Sequence, residues 1–203
     1  MNKTKIEWTN YSWSPVIGCR GGCFYCYGKR LNDRFKWIKD WTKPKFYPER
    51  LKEPYKIKKP SKIFVCSMAD LFSDWIIDGM ILKIIEVARE NPRHTFQFLT
   101  KNPKRYLEFK FPKNCWLGAT ITGKEEILNG HYQIKALKKK DNFKFISFEP
   151  LLNKIDMDLS NIDLVIVGAM TGMGKKNVIP KKEWIASIKH PNIFYKENIK
   201  KYL

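Results

Sequence analysis

Six short runs rich in β-branched and aromatic residues, recurring between longer helical or mixed stretches, constrain this chain more than any other feature. They are Lys62–Ser67 (KIFVCS), Thr95–Leu99 (TFQFL), Trp116–Ile121 (WLGATI), Phe143–Phe148 (FKFISF), Asp163–Gly168 (DLVIVG) and Asn192–Tyr195 (NIFY). Several are continuously apolar rather than alternating, the pattern of strands covered on both faces. Between the first two, Asp74–Asn91 carries Ile76, Ile77, Met80, Ile81, Ile84, Ile85 and Ala88 at helical spacing, with Ser73 as N-cap and Pro92 as stop. That is a βαβ crossover. Lys124–Lys140 and Lys181–Lys189 stand where further crossover helices are needed. An upstream strand is expected at Ser14–Gly18, then a loop and a helix from about Tyr27. The rhythm predicts an α/β fold with parallel strands, as a barrel or a doubly wound sheet.

At 203 residues and 43% hydrophobic content the chain can bury one substantial core, so a single domain over 1–203 is expected. No apolar run of about 18 residues appears, and the N-terminal MNKTKIEWTNYSW lacks the apolar core of a secretory signal. A cytoplasmic protein without a membrane partner is expected. The net charge is +19, from 39 basic and 20 acidic residues, which creates a field attractive to polyanions. The basic set holds 32 Lys and 7 Arg, so it lacks the Arg forks typical of specific base reading. The segment 36–62 interrupts the strand–helix rhythm with Pro44, Pro48, Pro54 and Pro60 among lysines and aromatics. Trp37, Lys39, Trp41, Lys43 and Lys45 in it could stack bases and follow a phosphate backbone. The alternative is a surface loop whose aromatics tuck inward.

Three of the five cysteines fall within eight residues, Gly18-Cys19-Arg20-Gly21-Gly22-Cys23-Phe24-Tyr25-Cys26, which suits a metal site in a reducing compartment better than disulfides. Three thiolates on one short loop can hold three irons of a cubane and leave the fourth open to a small molecule. Glycines 18, 21 and 22 give the loop freedom to wrap and bring amides near sulfur, and Tyr25 and Tyr27 offer apolar cover. A structural zinc ion normally has four ligands, and no fourth falls at finger spacing. Cys66 or Cys115 could supply one in space.

The C-x3-C-x2-C spacing, with an aromatic before the last Cys, resembles the cluster motif of the radical-SAM superfamily. IEWT at Ile6–Thr9, SWSPVIGC at Ser12–Cys19, SMADLF at Ser67–Phe72, LTKNP at Leu99–Pro103, FEPLL at Phe148–Leu152 and VIVG at Val165–Gly168 narrow the match. They resemble the blocks of a phage- and prophage-associated radical-SAM-like family long catalogued as a domain of unknown function. The resemblance implies a partial (β/α) barrel with a 4Fe-4S cluster on Cys19, Cys23 and Cys26 and bound S-adenosyl-L-methionine (SAM). Polar residues at the expected strand ends become candidates for the cofactor: Tyr25, Ser67, Asp70, Thr100, Lys101, Thr120, Glu149, Gly168 and Lys196. Strand C-terminal ends are where barrels keep their ligands. Asp70 is expected to accept from the SAM ammonium, or else to cap the turn after its strand. Lys101 and Glu149 meet the carboxylate, the ribose or the substrate, or else form an ion pair across the mouth. Glycines 168, 172 and 174 would let backbone approach an adenine or phosphate. Ala169 and Met170 depart from the Gly-Glu usual in the family.

The implied reaction is one-electron reduction of the cluster, reductive cleavage of the SAM sulfonium, and hydrogen abstraction by a 5′-deoxyadenosyl radical. Charge, the basic aromatic segment and the phage association favour a nucleobase in DNA or RNA, which must leave a duplex to be reached. An external electron donor is required, and a dedicated partner protein is compatible with the chemistry. Two other readings use the same residues: a nucleic-acid-binding module whose cluster or zinc ion only staples a loop, and a radical enzyme acting on a peptide or small metabolite.

Overall fold

The computed structural model describes residues 1–122 and 134–203. Its strands are β1 (Asn2–Lys3), β2 (Tyr11–Trp13), β3 (Val16–Ile17), β4 (Lys45–Phe46), β5 (Lys62–Val65), β6 (Thr95–Thr100), β7 (Cys115–Thr120), β8 (Lys144–Phe148), β9 (Leu164–Val167) and β10 (Ile193–Tyr195). The helices are α1 (Tyr27–Phe35), α2 (Asp78–Glu90), α3 (134–138), α4 (Lys182–Ala186) and α5 (Glu197–Lys200). Eight strands form one sheet in the order β1-β2-β5-β6-β7-β8-β9-β10. β1 runs antiparallel to β2, and every other neighbouring pair is parallel. The six predicted runs are β5 to β10, with ends shifted by one or two residues.

The register sorts each strand into two faces. Ile63 and Val65, Phe96 and Phe98, Leu117 and Ala119, Ile146 and Phe148, and Val165 and Val167 share one core with Ile81, Ile84, Ile85 and Ala88 of α2. Leu137, Ile185 and Ile199 bring the later helices into the same core. Each such side chain contributes about 1.5–3 kcal/mol when fully buried. The opposite face carries Phe64, Phe145 and Ile166, gathered around Trp8, with Leu99, Trp116, Leu164 and Phe194 at their margins.

That second face is curled. The Trp8 ring lies 4.8 Å from Phe64 on β5 and 5.9 Å from Phe145 on β8. A flat sheet would hold those strands about 14 Å apart, three spacings of about 4.8 Å. The Glu197 amide, just after β10, donates to the Glu7 carboxylate at 2.8 Å, so the segment between β1 and β2 reaches the far edge. Since β1 and β10 do not pair, the result is a partial (β/α) barrel plugged by Trp8. Gly118 makes the plug fit, because a Cβ there would lie 2.4 Å from Phe145 Cζ.

Two expectations need correction. The first parallel strand of the sheet is β2, not Ser14–Gly18; within that range only Val16–Ile17 is strand, and it pairs antiparallel with Lys45–Phe46 in a separate ribbon. The crossover helix begins at Asp78 rather than Asp74, and Ser73 does not cap it. Arg105 Nη1 donates to the Ser73 and Ile76 carbonyls at 2.6 and 2.8 Å, and its Nη2 to Asp78, which holds Ser73–Ile77 in a turn. Of the expected helix Lys124–Lys140, residues 134–138 are helical and 124–133 lie outside the described residues. No described helix is long and apolar enough to cross a membrane.

Candidate functional site

The loop between β3 and α1 brings its cysteines to the C-terminal edge of the sheet. The Gly18 amide donates to the Met68 carbonyl at 3.0 Å and the Cys19 amide to the Trp41 carbonyl at 2.8 Å, pinning the loop to the β5 end and to the excursion. Gly18 sits at φ 110°, and a Cβ there would come within 2.9 Å of Pro44 Cα and the Trp41 carbonyl oxygen. No other residue fits that turn. Cys19 Sγ accepts from the Gly21 amide and Cys26 Sγ from the Lys29 amide, both at 3.3 Å, so Cys26 caps α1. Trp41 is buried with Ile17, Ile38 and Met68, its ring against Gly28.

All three thiols line a cavity of about 400 Å3 that opens at the strand ends. Tyr25, Ser67, Asp70, Thr100, Lys101, Thr120, Glu149 and Lys196 line it as well, while Trp8, Phe64 and Leu99 form an apolar floor. Gly168 sits behind Glu149 and Lys196, where a Cβ would meet their side chains at 3.2 and 3.0 Å. Residues as far apart in the chain as Cys19 and Lys196 thus converge because sequential parallel strands end on one edge.

Internal bonds refine several expected roles. Asp70 Oδ1 accepts from Thr100 Oγ1 at 2.5 Å and from the Phe72 amide at 3.3 Å, and Oδ2 accepts from the Lys101 amide at 3.0 Å. The carboxylate therefore stitches the β5 turn to the β6 end, and burial raises its pKa despite those bonds. Glu149 pairs with Lys196 rather than with Lys101. The Lys101 ammonium lies 5.4 Å from the Tyr25 ring centre and 3.5 Å from Thr122 Oγ1, and the Tyr25 hydroxyl meets Thr122 Oγ1 at 2.8 Å. Close approach at Gly168 and Gly172 is made by protein side chains: Arg30 Nη2 would lie 2.4 Å from a Cβ at Gly172. Arg30 also donates to the Tyr25 and Thr171 carbonyls, tying α1 to the loop after β9. Ala169 and Met170 are buried, with Asn198 bridging the Ala169 backbone through both its amide and its carbonyl.

Ser147 and Trp8 also line the cavity. Among the described residues, Ser147 Oγ and Trp8 Nε1 are buried without a hydrogen-bond partner, as are Gln97 Oε1, Trp75 Nε1 and His94 Nδ1. Such groups cost about 1–3 kcal/mol each when left unmet. Neither Ser147 nor Trp8 stood out in sequence as a site residue. The periodicity of FISF places Ser147 inward, and that is the signal that could have found it.

The three cysteines supply thiols only, and no group of three or more His, Cys, Asp or Glu among the described residues is drawn together around one metal ion. Three thiols along one cavity wall match a cluster that gives each thiolate its own iron. Cys115 lies on the helix side of the sheet and cannot join them, and burial pushes its thiol up to about 12. Cys66 lines the cavity but is 3% exposed, its thiol also pushed up to about 12 by burial. Burial also raises the Cys19 thiol, so metal loading must displace a firmly held proton.

The expected nucleic-acid residues separate. Trp37, Lys39, Lys43 and Lys45 are exposed. Trp41, 8% exposed, is a core residue of the cysteine loop and offers no face for stacking.

Fold and site together define a mostly parallel α/β partial barrel with a three-cysteine loop over a cavity at its strand ends. The chain belongs to the family described as "Protein of unknown function (DUF5131)", which matches residues 3–194. No curated protein matches it. Among solved structures it is similar to a spore photoproduct lyase variant with bound AdoMet and dinucleoside spore photoproduct, at 13% identity and a TM-score of 0.59, over 83% of this chain and 58% of that one. It is also similar to a spore photoproduct lyase complexed with dinucleoside spore photoproduct, at 14% identity and a TM-score of 0.57, over 83% and 58%. A further variant gives 15% and 0.59 over 86% and 61%. The chain thus spans about three fifths of those structures, and the likeness is one of fold.

Proposed function

We propose that this chain is a radical SAM enzyme. In this reading Cys19, Cys23 and Cys26 hold a 4Fe-4S cluster, SAM occupies the strand-end cavity, and the substrate is a nucleobase in DNA or RNA. The observation that carries the proposal is the convergence of three thiols and a rim of polar strand-end residues on one cavity. The spore photoproduct lyase structures, with AdoMet and a dinucleoside lesion, support it by sharing the fold.

When bound, the cluster supplies the electron that splits the SAM sulfonium to a 5′-deoxyadenosyl radical. The chain's own residues bind, orient and exclude water. Lys101, braced by Tyr25 and Thr122, offers a cation for the SAM carboxylate. Asp70 holds the Lys101 backbone and Thr100 in position at the cavity wall. The Glu149–Lys196 pair sets polar groups at the mouth for the ribose. Trp8, Phe64 and Leu99 keep the floor dry.

Anaerobic reconstitution tests the proposal. About four irons per chain, and a visible spectrum that changes when SAM is added, are expected. Tight zinc binding with no response to SAM would overturn it.

A further inference from the structure

A second cavity, of about 450 Å3, lies directly against the first. Ile6, Tyr27, Ser67 and Met68 line both. Hydrogen bonds brace this shared wall: the Tyr27 hydroxyl donates to the Ser67 carbonyl, and the Ser67 hydroxyl lies 3.3 Å from that of Ser14. Neither cavity alone reaches far beyond the volume of one drug-sized ligand. If SAM takes the first, its reaction partner needs a space of its own within reach, and the second cavity is that space.

We propose that the second cavity receives one unpaired nucleotide of a single nucleic-acid strand, with Trp37 as its stacking platform and the hydroxyls of Ser12, Ser14 and Ser67 reading the base edge. This rests on the function proposed above, since it assigns the first cavity to SAM. The lining matches the ligand. Three serine hydroxyls can each donate or accept, and Arg50, whose Nη1 donates to the Ser14 carbonyl at 2.9 Å, adds a fixed cation. At the rim Trp37 stacks on Phe35, with ring centres 5.4 Å apart and planes 18° apart, and Arg34 lies over the Phe35 ring at 5.1 Å.

The exposure of these rings is the second observation. Trp37 is 46% and Phe35 51% exposed. Four of the five exposed aromatics among the described residues, namely Phe24, Tyr27, Phe35 and Trp37, fall between residues 24 and 37; the fifth is Tyr55. Arg34, Lys36 and Lys39 stand among them, exposed. Three acids of this region are engaged: Asp33 with Lys29, Asp40 with Lys43, and Glu53, which lines the cavity, with the amino group of Met1. Flat rings with exposed cations beside a polar cavity are the furniture of single-strand binding. A base still stacked in a duplex could not enter, so the strand must be single or the base flipped.

The test is binding of a fluorescent single-stranded DNA of about a dozen mixed nucleotides to the full chain, followed by anisotropy, for which no SAM cleavage is needed. Trp37→Ala should weaken binding about tenfold, within the range of one lost base stack. Tyr55→Ala, removing the exposed aromatic outside the cavity, should leave binding unchanged. Photocrosslinking of a bromouracil-substituted strand, mapped by peptide mass, should mark Tyr27 or Trp37. Equal losses in the two variants, no loss in Trp37→Ala, or crosslinks confined to other surfaces would overturn the site. If the strand binds as stated but the wild type never cleaves SAM, the cofactor reading fails and this site stands.

Discussion

Gly118→Ala adds one methyl group at the tightest point of the barrel. The new Cβ would lie 2.4 Å from Phe145 Cζ and 2.6 Å from its Cε1 and Cε2. Carbon atoms settle at about 3.5–4.0 Å, so the ring must retreat by about 1 Å or more. It has nowhere to go: Phe145 is fully buried, Trp8 faces it at 5.9 Å, and Trp8 is itself backed by Phe64 at 4.8 Å. Overpacking of this kind costs about 1–3 kcal/mol, less up to about 1 kcal/mol that alanine regains over glycine in backbone entropy. For a chain of this size each kcal/mol moves Tm by about 2–4 °C, so a net cost of about 1–2 kcal/mol, the middle of that range, lowers Tm by roughly 2–8 °C by circular dichroism. The double variant Gly118→Ala/Phe145→Leu should lose less than the sum of the two single losses, because the smaller side chain makes room. A Gly118→Ala melt at or above the wild type, or strictly additive losses, would refute the curled packing around Trp8.

Other outcomes follow from the same geometry. Burial raises the Asp70 pKa above its ordinary 3.8, so its contribution to stability is full below that value and falls as pH rises through the folded pKa; the wild type's advantage over Asp70→Asn in chemical denaturation should therefore shrink with rising pH, and an advantage that grows would contradict the burial argument. Glu149→Gln and Lys196→Met should each cost about 1–3 kcal/mol, a range lowered from that of a fully buried pair because Glu149 is partly exposed, while the double variant costs less than either single one. Additive costs in that cycle would mean the pair is not coupled. Affinity for random single-stranded DNA should fall steeply with salt, with a slope of about −0.7 per phosphate contact, and salt-insensitive binding would remove the nucleic acid substrate.

Most of the strands that were legible in sequence are those whose two faces are both covered, half-buried β10 being the exception. KIFV, LVIV and their like read as strand because neither face meets water. Tyr11–Trp13 escaped because it is three residues long with Ser12 at its centre, and nothing local shows that it pairs with β5 some fifty positions away. Val16 and Ile17 misled in the opposite direction, being apolar and buried but paired with Lys45 and Phe46. The helix start at Asp78 depends on Arg105, a side chain 27 positions downstream, which no window around Ser73 contains. At the site, the cysteine spacing and strand-end polar residues could be read because chemistry and topology both leave a local mark. What each does could not. Whether Glu149 pairs with Lys101 or Lys196, and whether Asp70 is turned to a ligand or to Thr100, is decided by distances between strand ends.

The account stands most directly on whether the three-cysteine loop makes SAM chemistry occur. The measurement is 5′-deoxyadenosine formed by anaerobically reconstituted protein with SAM and a strong one-electron reductant, quantified by liquid chromatography and mass spectrometry. The account predicts the nucleoside from the wild type and none from Cys23→Ala, whose lost thiolate removes one of three iron ligands. Reconstituted wild type that carries its iron and yields no 5′-deoxyadenosine, or Cys23→Ala that yields as much as the wild type, would contradict it.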